Sequence, residues 1–366
     1  MFGSMYKGRR VLVTGHTGFK GSWLVYWLKR LGAKVKGIAL APEGEFSHAA
    51  LLGQLDQFEA CDICDSTRVE SIFSDYQPEI VFHLAAQPIV RLSYKAPVKT
   101  FATNVMGTVN ILEAVRKTES VKAVVAVSSD KCYENKEQIW GYREDDAMGG
   151  YDPYSASKGC MELVVSSYRR SFFNPNDYGR THSVLLASAR AGNVIGGGDW
   201  AEDRLIPDLM KAAASGREVT IRSPQAIRPW QHVLEPLGGY LLLGQKLLEG
   251  TKEFASGWNF GPAGNEQITV KETVEAMARE WPAIKADMHQ ASDASHQQMH
   301  EAGILYLDCS KARHFLKWHG TWLPHEAFSR TAQWYKDFYQ KGILDTEKDW
   351  EVYISKAEQE NMEWTK

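Results

Sequence analysis

Short apolar runs alternate with amphipathic stretches along the first half of the chain. RRVLVTG, WLVYWLKRLG and KVKGIAL predict a strand, a helix and a second strand, and EIVFHLAA and VKAVVAVSS predict two further buried strands. NVMGTVNILEAVRK, between the last two, predicts a helix because Val105, Val109 and Leu112 fall on one stripe. Strands that alternate with helices form a parallel sheet covered on both faces. The chain is therefore predicted to have an α/β fold with a doubly wound parallel sheet.

The first predicted strand runs directly into TGHTGFKG, in which Gly15, Gly18 and Gly21 have the spacing GxxGxxG. Small residues between a strand and a helix let the backbone approach a pyrophosphate, which then lies at the N-terminus of the helix. A glycine triplet alone is weak evidence, and the alternative is a tight turn without a ligand. Its position between a strand and a helix favours a dinucleotide site. The predicted sheet is therefore of the Rossmann type.

This spacing differs from the GxGxxG of many dinucleotide dehydrogenases and resembles that of the extended short-chain dehydrogenase/reductase family. HLAAQP resembles the family segment that lines the cofactor, and CDICD resembles the acidic motif that contacts adenine. The resemblance implies an enzyme that binds NAD. The cofactor-binding residues that it implies are Gly15, His16, Gly18, Phe19, Lys20, Gly21, Asp62, Ile63, Leu84, Ala85, Ala86, Asn104, Tyr154 and Lys158.

The end of the second strand departs from the family pattern. Many NAD-binding members have an acid there that holds the ribose hydroxyls, but GIALAPE places Ala41 or Pro42 at that position. Glu43 is the alternative candidate, and no Arg lies nearby to favour a 2′-phosphate. We therefore expect NAD to be held less tightly than usual. His16 and Lys20 are unusual in this loop, and each is equally consistent with a cofactor contact and with a side chain facing solvent.

YSASK places Tyr154 and Lys158 four residues apart, which puts both on one face of a helix. A tyrosine with the ordinary pKa of about 10 is a poor base at neutral pH. A lysine ammonium and a positive nicotinamide both favour the phenolate and lower that pKa. The family resemblance implies that Tyr154 removes a proton from a substrate hydroxyl. A surface helix with a chance Tyr and Lys is the weaker alternative.

VSSDKCYEN places Asp130 and Lys131 side by side where a predicted buried strand ends, the edge at which open α/β sheets bind ligands. On its own, the pair is better explained as a turn with a solvated lysine. The resemblance implies that Ser129 hydrogen-bonds the sugar hydroxyl being oxidised. Asp130 and Lys131 match the extra acid–base pair of the nucleotide-sugar 4,6-dehydratases. The expected catalytic residues are therefore Ser129, Asp130, Lys131, Tyr154 and Lys158.

Enzymes of that kind oxidise sugar C4, eliminate water across C5 and C6, and reduce C6, so that NAD is regenerated in each turnover. Elimination needs a base at C5 and an acid at O6, and the resemblance assigns these roles to Lys131 and Asp130. An epimerase or a simple dehydrogenase on the same fold would need only Ser129, Tyr154 and Lys158. A regulator that binds NAD without catalysis would have no reason to keep Tyr154 and Lys158 together.

The second half of the chain carries the expected substrate contacts. RAGNVIGGGDW, RLIPDLM and IRSPQAIRPWQHV resemble family segments that bind the substrate, and arginine suits a diphosphate because its planar fork donates two hydrogen bonds. Members that act on dTDP-glucose would have Glu at Lys131, so the resemblance is closer to members that act on CDP-D-glucose. The substrate-binding residues implied are Gln87, Asn193, Arg204, Leu205, Arg222, Arg228 and His232.

The resemblance also implies a domain organisation and an assembly. Residues 1–195 and 226–262 are expected to form the NAD-binding Rossmann domain, and residues 196–225 and 263–366 a smaller α/β substrate-binding lobe. The helices of residues 104–116 and 154–170 are expected to pair between subunits of a homodimer or homotetramer. The C-terminal segment is expected to pack as helices and to end in a frayed tail.

Composition and charge exclude other classes. The 366 residues are 44% hydrophobic and 24% charged, an ordinary globular composition, and the net charge of −3 gives no indication of nucleic-acid binding. No apolar run approaches the length of a membrane span, and MFGSMYKGRR lacks the apolar core of a signal peptide. We therefore expect a cytoplasmic protein with neither nucleic acid nor membrane as a partner.

The cysteines and histidines do not predict a metal site. Five cysteines argue against a disulfide framework, and no second pair joins Cys61 and Cys64 to complete a zinc site. The spacing of His289, His296 and His300 is not a recognised metal set and favours a solvated loop. We expect no metal.

Overall fold

Seven strands form one sheet in which every neighbouring pair is parallel. The computed structural model describes residues 1–42, 44–221, 223–262, 268–288 and 304–366. The order across the sheet is β7-β6-β5-β4-β1-β2-β3, where the strands are β1 (Arg10–Thr14), β2 (Lys34–Ala39), β3 (Phe58–Ala60), β4 (Ile80–His83), β5 (Ala123–Val127), β6 (Leu185–Ala191) and β7 (Gly257–Phe260). Strand order reverses beside β1, and ligands of such sheets bind in the crevice at that point.

Helices connect the strands and cover both faces of the sheet. They are α1 (Phe19–Arg30), α2 (His48–Leu51), α3 (Ser66–Tyr76), α4 (Val90–Lys95), α5 (Pro97–Phe101), α6 (Gly107–Arg116), α7 (Pro153–Ser171), α8 (Leu205–Ala214), α9 (Leu234–Leu248), α10 (Val270–Glu280), α11 (Pro324–Lys341) and α12 (Thr346–Gln359). Two short parallel pairs lie outside the sheet, Val194–Ile195 with Gln231–His232 and Val219–Thr220 with Ala286–Asp287.

Both faces of the sheet are buried because successive side chains alternate between two apolar clusters. Val11 and Val13 of β1 belong to the cluster that α1 and α9 cover. Leu12, between them, belongs to the cluster that α3, α6 and α7 cover. Side chains of a strand point to opposite faces in turn, so each strand contributes to both cores. The predicted α/β fold with a doubly wound parallel sheet is confirmed.

A third apolar cluster lies where α8, α10 and α11 meet. Met210 of α8, Met277 of α10 and Trp334 of α11 are fully buried in it. Helix α10 begins with a capping box, in which Thr269 and Glu272 satisfy each other's backbone amides. This cluster draws mainly on the residues assigned to the substrate lobe, and the division into two domains stays a prediction.

The C-terminal segment packs against the side of the sheet that α1 covers, so the expectation of a frayed tail is wrong. Trp364 has no exposed surface. Its ring centroid lies 5.5 Å from that of Phe2, 5.5 Å from that of Trp27 on α1 and 5.8 Å from that of Tyr353 on α12. Large aromatic rings bury much apolar area at low entropic cost, which explains how so short a tail stays in place.

A buried histidine adds a polar connection between α1 and the C-terminal segment. Nδ1 of His48 lies 2.8 Å from the hydroxyl of Ser22 on α1. Its Nε2 lies 2.9 Å from the hydroxyl of Thr346, the first residue of α12. Both ring nitrogens are therefore satisfied inside the core, and α1 is joined to α12 by hydrogen bonds as well as by aromatic packing.

Replacing Trp364 with Ala should lower the free energy of unfolding by about 3–5 kcal/mol, because it leaves a large cavity among aromatic neighbours. Urea unfolding followed by circular dichroism should show a lower midpoint. Trp140→Ala is the matched control because the Trp140 ring is 65% exposed, and exposed substitutions usually change stability by less than about 0.5 kcal/mol. Equal midpoints for the two variants would show that the tail does not stabilise the fold.

Candidate active site

The glycine loop between β1 and α1 is too tightly closed for side chains. Gly15 has a φ of +72°, and a Cβ on it would lie 2.7 Å from the backbone nitrogen of Ala85. A Cβ on Gly21 would lie 2.2 Å from the carbonyl oxygen of Gly15. Gly18 is the N-cap of α1, Phe19 is the first residue of that helix, and no side chain caps this end. The first amides of α1 therefore stay available, and the loop fits the phosphates of a dinucleotide.

Thr14, at the end of β1, holds the segment after β4 against this loop. Its buried hydroxyl accepts the amides of Leu84 at 3.1 Å and Ala85 at 3.0 Å, and lies 2.7 Å from Nδ1 of His83. Leu84, Ala85 and Ala86 are half-buried. The HLAA segment and the glycine loop therefore form two walls of the crevice beside β1.

The two unusual residues of the glycine loop have different surroundings. The His16 ring is buried against Gly37, where a Cβ would lie 2.3 Å from its Cγ, and against Phe58 at 5.3 Å between ring centroids. Burial lowers the pKa of His16 to about 4. Burial also lowers the pKa of Lys20 to about 8, and the charge of Arg204 acts in the same direction. His16 thus packs between the loop and β2, whereas the Lys20 ammonium lies among the charged groups of the catalytic region.

The predicted adenine motif lies on the loop after β3. Asp62 is exposed, and Ile63 is buried against α6, where a Cβ on Gly107 would lie 2.5 Å from the Cδ1 of Ile63. After β2, residues 40–42 contain no carboxylate, and Glu43 lies outside the described residues. The ribose-binding acid of the family pattern is therefore absent from the described part of this strand end.

Asn104 lies in a π-helical turn, Ala102–Met106, between α5 and α6. Such turns are rare and occur often at functional sites. The buried amide of Asn104 donates to the Ser157 hydroxyl on α7 at 2.8 Å and accepts the backbone amide of Gln87 at 2.8 Å. Gln87 is also buried, and its side chain donates to Thr100 at 2.9 Å. Asn104 therefore connects the crevice wall to α7, while the ligand contacts of Asn104 and Gln87 stay predictions.

Asp130 and Lys131 lie in one 3-10 turn, Asp130–Cys132, that follows β5. Ser129 caps this turn, because its hydroxyl accepts the Lys131 amide at 3.2 Å and donates to Oδ1 of Asp130 at 2.8 Å. A turn was the alternative interpretation of this pair, and the backbone is indeed a turn. Asp130 is nevertheless only 3% exposed, which is unusual for an aspartate whose role is to form a turn.

Helix α7 presents the Tyr and Lys of YSASK towards the end of β5. Asp152 is its N-cap and accepts the Ser155 amide at 2.9 Å and the Ser155 hydroxyl at 2.6 Å. This cap fixes the first turn, which carries Tyr154. One turn later, Nζ of Lys158 lies 3.4 Å from the carbonyl oxygen of Val127, the last residue of β5. The structure therefore brings Tyr154 and Lys158 to the strand end that precedes the Asp130 turn.

Burial dominates the charge states of Tyr154 and Lys158. It raises the pKa of Tyr154 to about 12, and contact with the Ser129 hydroxyl and the charge of Arg204 lower this pKa only in part. It lowers the pKa of Lys158 to about 8. In the protein alone, desolvation of the phenolate is therefore the largest effect on the pKa of Tyr154, and the lowering expected from Lys158 together with the nicotinamide stays a prediction.

Asp130 is arranged to hold a proton. Burial raises its pKa, although the charge of Lys131 and the hydrogen bond from Ser129 act against this. Its Oδ2 has no hydrogen-bond partner among the described residues. A Cβ on Gly192 would lie only 3.0 Å from that oxygen, so glycine at this position leaves space for the carboxyl. A carboxyl with a raised pKa holds its proton to higher pH than an ordinary aspartate does, which suits a proton donor.

The structure brings Arg204 towards the catalytic residues. Its Nη1 donates to Oδ2 of Asp199 at 2.9 Å, and its charge acts on the pKa of both Tyr154 and Lys20. Arg204 is the N-cap residue of α8, and the half-buried Leu205 is the first residue of that helix. Asp199 therefore orients a guanidinium beside the catalytic region.

The other predicted substrate residues have varied surroundings, and their assignments stay predictions. Asn193 and Arg228 are half-buried, and each precedes one strand of the short parallel pair Val194–Ile195 with Gln231–His232. His232 is fully buried, with its ring centroid 5.8 Å from that of Trp23 and 4.8 Å from that of Trp322. Arg222, also a predicted substrate residue, lies outside the described residues. So do His289, His296 and His300, whose spacing favoured a solvated loop.

The sequence prediction missed the residues that hold the catalytic ones in place. Glu162 and Arg190 form a buried ion pair at 2.9 Å. Asp152 caps α7, and Asp199 forms an ion pair with Arg204. Glu162 could have been found, because it lies four residues after Lys158 and therefore on the same face of the helix. The charge of Arg190 inside the apolar strand LLASARA was a second visible signal.

In the described parts of the chain, no group of three or more His, Cys, Asp or Glu side chains is arranged to hold a metal ion. Cys61 is buried, Cys64 is exposed, and both are free thiols. No helix in those parts is long and apolar enough to cross a membrane.

Known proteins resemble this chain over most of its length. The family model described as GDP-mannose 4,6 dehydratase matches residues 12–331. CDP-glucose 4,6-dehydratase of Salmonella typhimurium is 51% identical over 340 residues, which cover 91% of this chain and 92% of that protein. Because both matches span most of the chain, they establish its family.

Solved structures share the fold at lower identity. UDP-glucose 4-epimerase of Thermotoga maritima, with UDP-glucose, superimposes with a TM-score of 0.73 at 22% identity and covers 90% of this chain and 100% of its own. dTDP-glucose 4,6-dehydratase of Bacillus anthracis, in complex with NAD, superimposes with a TM-score of 0.71 at 19% identity and covers 92% of this chain and 99% of its own. The predicted family is confirmed: the chain belongs to the GDP-mannose 4,6-dehydratase family of extended short-chain dehydrogenases/reductases.

Proposed function

We propose that the protein is an NAD-dependent nucleotide-sugar 4,6-dehydratase that converts CDP-D-glucose to CDP-4-keto-6-deoxy-D-glucose. The observation that carries the proposal is the Asp130–Cys132 turn beside Ser129, in which Asp130 is buried and Lys131 half-buried, because oxidation of a hydroxyl alone gives Asp130 and Lys131 no role. The cytidine nucleotide is supported by the 51% identity to the Salmonella typhimurium protein named CDP-glucose 4,6-dehydratase.

The crevice beside β1 is the proposed NAD site. Gly15 and Gly21 leave no room for a Cβ, and the uncapped start of α1 offers backbone amides to a pyrophosphate. Asp62 is exposed where the adenine is expected. When bound, NAD supplies the acceptor for hydride from sugar C4 and the donor of hydride to C6. Residues 40–42, after β2, contain no carboxylate, which supports a weaker hold on the ribose than in family members that have an acid there.

Tyr154 is the proposed base for the sugar O4 proton, with Ser129 hydrogen-bonded to the same hydroxyl. In the protein alone the Tyr154 pKa of about 12 leaves little phenolate at neutral pH. A positive charge placed beside Tyr154 favours its phenolate. We therefore propose that Tyr154 becomes an effective base only when the cofactor is bound, with Lys158 as the second cation of the site.

Lys131 and Asp130 are the proposed base and acid of the elimination. Once C4 is a ketone, the C5 proton is acidic, and the neutral amine form of Lys131 accepts it. Asp130 donates its proton to O6, so that the C6–O6 bond breaks and water leaves. Lys131 then returns a proton to C5 when C6 is reduced. The raised pKa of Asp130 supports its role as the acid.

Phosphate binding is assigned to Arg204 and Arg228, and the position of Arg204 beside Tyr154 supports the first of these. A cytoplasmic location without nucleic-acid or membrane partners agrees with the net charge of −3.

We also propose that the protein associates with itself through α5, α6 and α7. These helices, the π-helical turn before α6 and the C-cap residue of α7 expose large apolar side chains, and contiguous exposed apolar surface is typical of interaction sites. The exposed fractions are 82% for Val98, 53% for Met106, 61% for Leu163 and 45% for Phe172. A homodimer formed in this way, or a homotetramer built from two such dimers, would cover this surface.

Incubation with CDP-glucose and NAD should give a product lighter by one water, measured by mass spectrometry. A product of unchanged mass with inverted C4 would instead indicate an epimerase. An oxidised sugar with stoichiometric reduced NAD would indicate a simple dehydrogenase. Parallel incubations with dTDP-glucose and GDP-mannose test the nucleotide, since equal rates with all three would overturn the CDP assignment.

Lys131→Met should block water loss while leaving oxidation at C4, because oxidation uses Ser129, Tyr154 and Lys158. Reduced NAD and a 4-keto hexose should therefore accumulate, measured by ultraviolet absorbance and mass spectrometry, and water loss should slow by about 10²–10⁴-fold. Exchange of the C5 proton with deuterated water should also stop. Lys136→Met is the control, since Lys136 is exposed on the same loop. Dehydration by Lys131→Met at the parent rate would show that Lys131 is a surface lysine.

Asp130→Asn should slow water loss and raise stability at neutral pH. The pKa of Asp130 is raised in the folded protein, so its stabilising contribution is present below the unfolded pKa and is lost as pH rises through the folded value. Asn does not titrate. Its advantage in thermal unfolding midpoint should therefore grow from about pH 4, the ordinary aspartate range, to neutral pH. A difference in midpoint that stays constant over that range would show that Asp130 is not held protonated.

Leu163→Glu should lower the mass in solution, because it places a charge in the proposed interface. Static light scattering at micromolar concentration should show the change. Phe315→Glu is the matched control, since Phe315 is also 61% exposed but lies in the turn Ala312–Leu316, which is not part of the proposed interface. A parent protein that is already monomeric, or a Leu163→Glu variant with unchanged mass, would contradict an interface through α7.

A further inference from the structure

The turn that carries Asp130 and Lys131 is flanked by two residues that connect to the same buried ion pair. Before the turn, the hydroxyl of Ser128 donates to Glu162 at 2.5 Å. After the turn, the hydroxyl of Tyr133 accepts a hydrogen bond from Nη1 of Arg190 at 2.6 Å. Glu162 and Arg190 are bonded to each other at 2.9 Å and at 3.0 Å.

Both carboxylate oxygens of Glu162 accept hydrogen bonds. Besides Ser128 and the two nitrogens of Arg190, its carboxylate accepts the hydroxyl of Ser188 at 2.7 Å. The side chains of Glu162 and Arg190 are 3% and 5% exposed. Because water is excluded and both oxygens are occupied, the carboxylate has one favourable position, and Ser128 at the end of β5 is held in register with α7.

Tyr133 is fixed equally well on the other side. Its hydroxyl donates to Oδ1 of Asn259 on β7 at 2.7 Å, and the Arg190 guanidinium lies over its ring at 5.1 Å from the centroid. The Tyr133 ring also stacks on that of Tyr142, with centroids 5.2 Å apart. Tyr133 is 1% exposed. The residue that follows the turn is therefore held to the edge of the sheet.

We propose that the Glu162–Arg190 pair, with Tyr133, is a positioning device for the elimination step: it fixes the Asp130–Cys132 turn from both ends. This inference rests on the proposed function, because it assumes that Asp130 and Lys131 carry out the elimination. Tyr154 and Lys158 lie on α7 and do not contact Tyr133 among the described hydrogen bonds. Loosening the far end of the turn therefore changes the acid–base pair more than the residues of oxidation.

Stability alone is a weaker explanation of this arrangement. Burying two charges costs free energy that their attraction often only offsets, and apolar replacements of buried ion pairs are often neutral or stabilising. Directional hydrogen bonds, in contrast, define where Ser128 and Tyr133 lie. General acid and base groups must be within hydrogen-bond distance of their target atoms, so a small displacement of the turn is enough to slow proton transfer.

Tyr133→Phe is the test, because it removes one hydroxyl and keeps the stacked ring. Tyr142→Phe is the matched control, since Tyr142 is the other member of the stacked pair and, among the described residues, its hydroxyl bonds to Asn135 and to the amide of Lys136. In single-turnover reactions with CDP-glucose and NAD, Tyr133→Phe should slow water loss roughly tenfold, the scale of one hydrogen bond to a charged group. Formation of reduced NAD should change by less than about twofold, so the reduced form should accumulate.

Amide hydrogen exchange gives a second readout that needs neither substrate nor cofactor. In Tyr133→Phe, peptides that span residues 128–134 should exchange faster than in the parent, and Tyr142→Phe should leave them unchanged. Equal slowing of oxidation and water loss, or unchanged exchange in these peptides, would overturn the positioning role. If the parent reduces NAD with CDP-glucose but releases no water, the proposed function fails, while the exchange comparison still reports whether the ion pair holds the turn.

Discussion

A buried ion pair joins the elements that meet at the catalytic end of the sheet. Glu162 belongs to α7 and Arg190 to β6, and their hydrogen bonds extend to Ser128 after β5 and, through Tyr133, to Asn259 on β7. Removing two charges from water is costly and is compensated only when the geometry of the pair and its remaining hydrogen bonds are good. The arrangement of three strands and one helix is therefore tied to a single set of contacts.

A charged ligand in the crevice would change the electrostatic surroundings of Tyr154. Burial excludes water from Tyr154 and Lys158, and in the protein alone it makes the phenolate less favourable. The same burial strengthens the effect of any charge that is later brought into the crevice, because the local dielectric constant is low. Burial thus disfavours ionisation of Tyr154 in the protein alone and makes its pKa sensitive to a charge that enters the crevice.

The fold was predictable, and the candidate catalytic positions could be singled out, because their signals are local. Each central strand is a continuous apolar run, and the glycine loop and YSASK have fixed spacings within a few residues. The surroundings of single side chains were not predictable, because they depend on contacts distant in sequence. His16 packs on Gly37 of β2, and the burial of Asp130 depends on the space left by Gly192. No spacing in the sequence indicated that Trp364 would pack beside Phe2.

Helix α1 has a dual position in the molecule. Its first turn faces the crevice, while Trp27 packs against Trp364. Ser22 is hydrogen-bonded to His48, and His48 is hydrogen-bonded to Thr346. Whatever binds only the folded form of α1 also stabilises, by mass action, the segments whose packing requires that helix to be in place. Occupancy of the crevice and resistance of the C-terminal residues to local unfolding are therefore linked. Loss of the ligand leaves those residues more accessible to proteases, although they do not belong to the candidate active site.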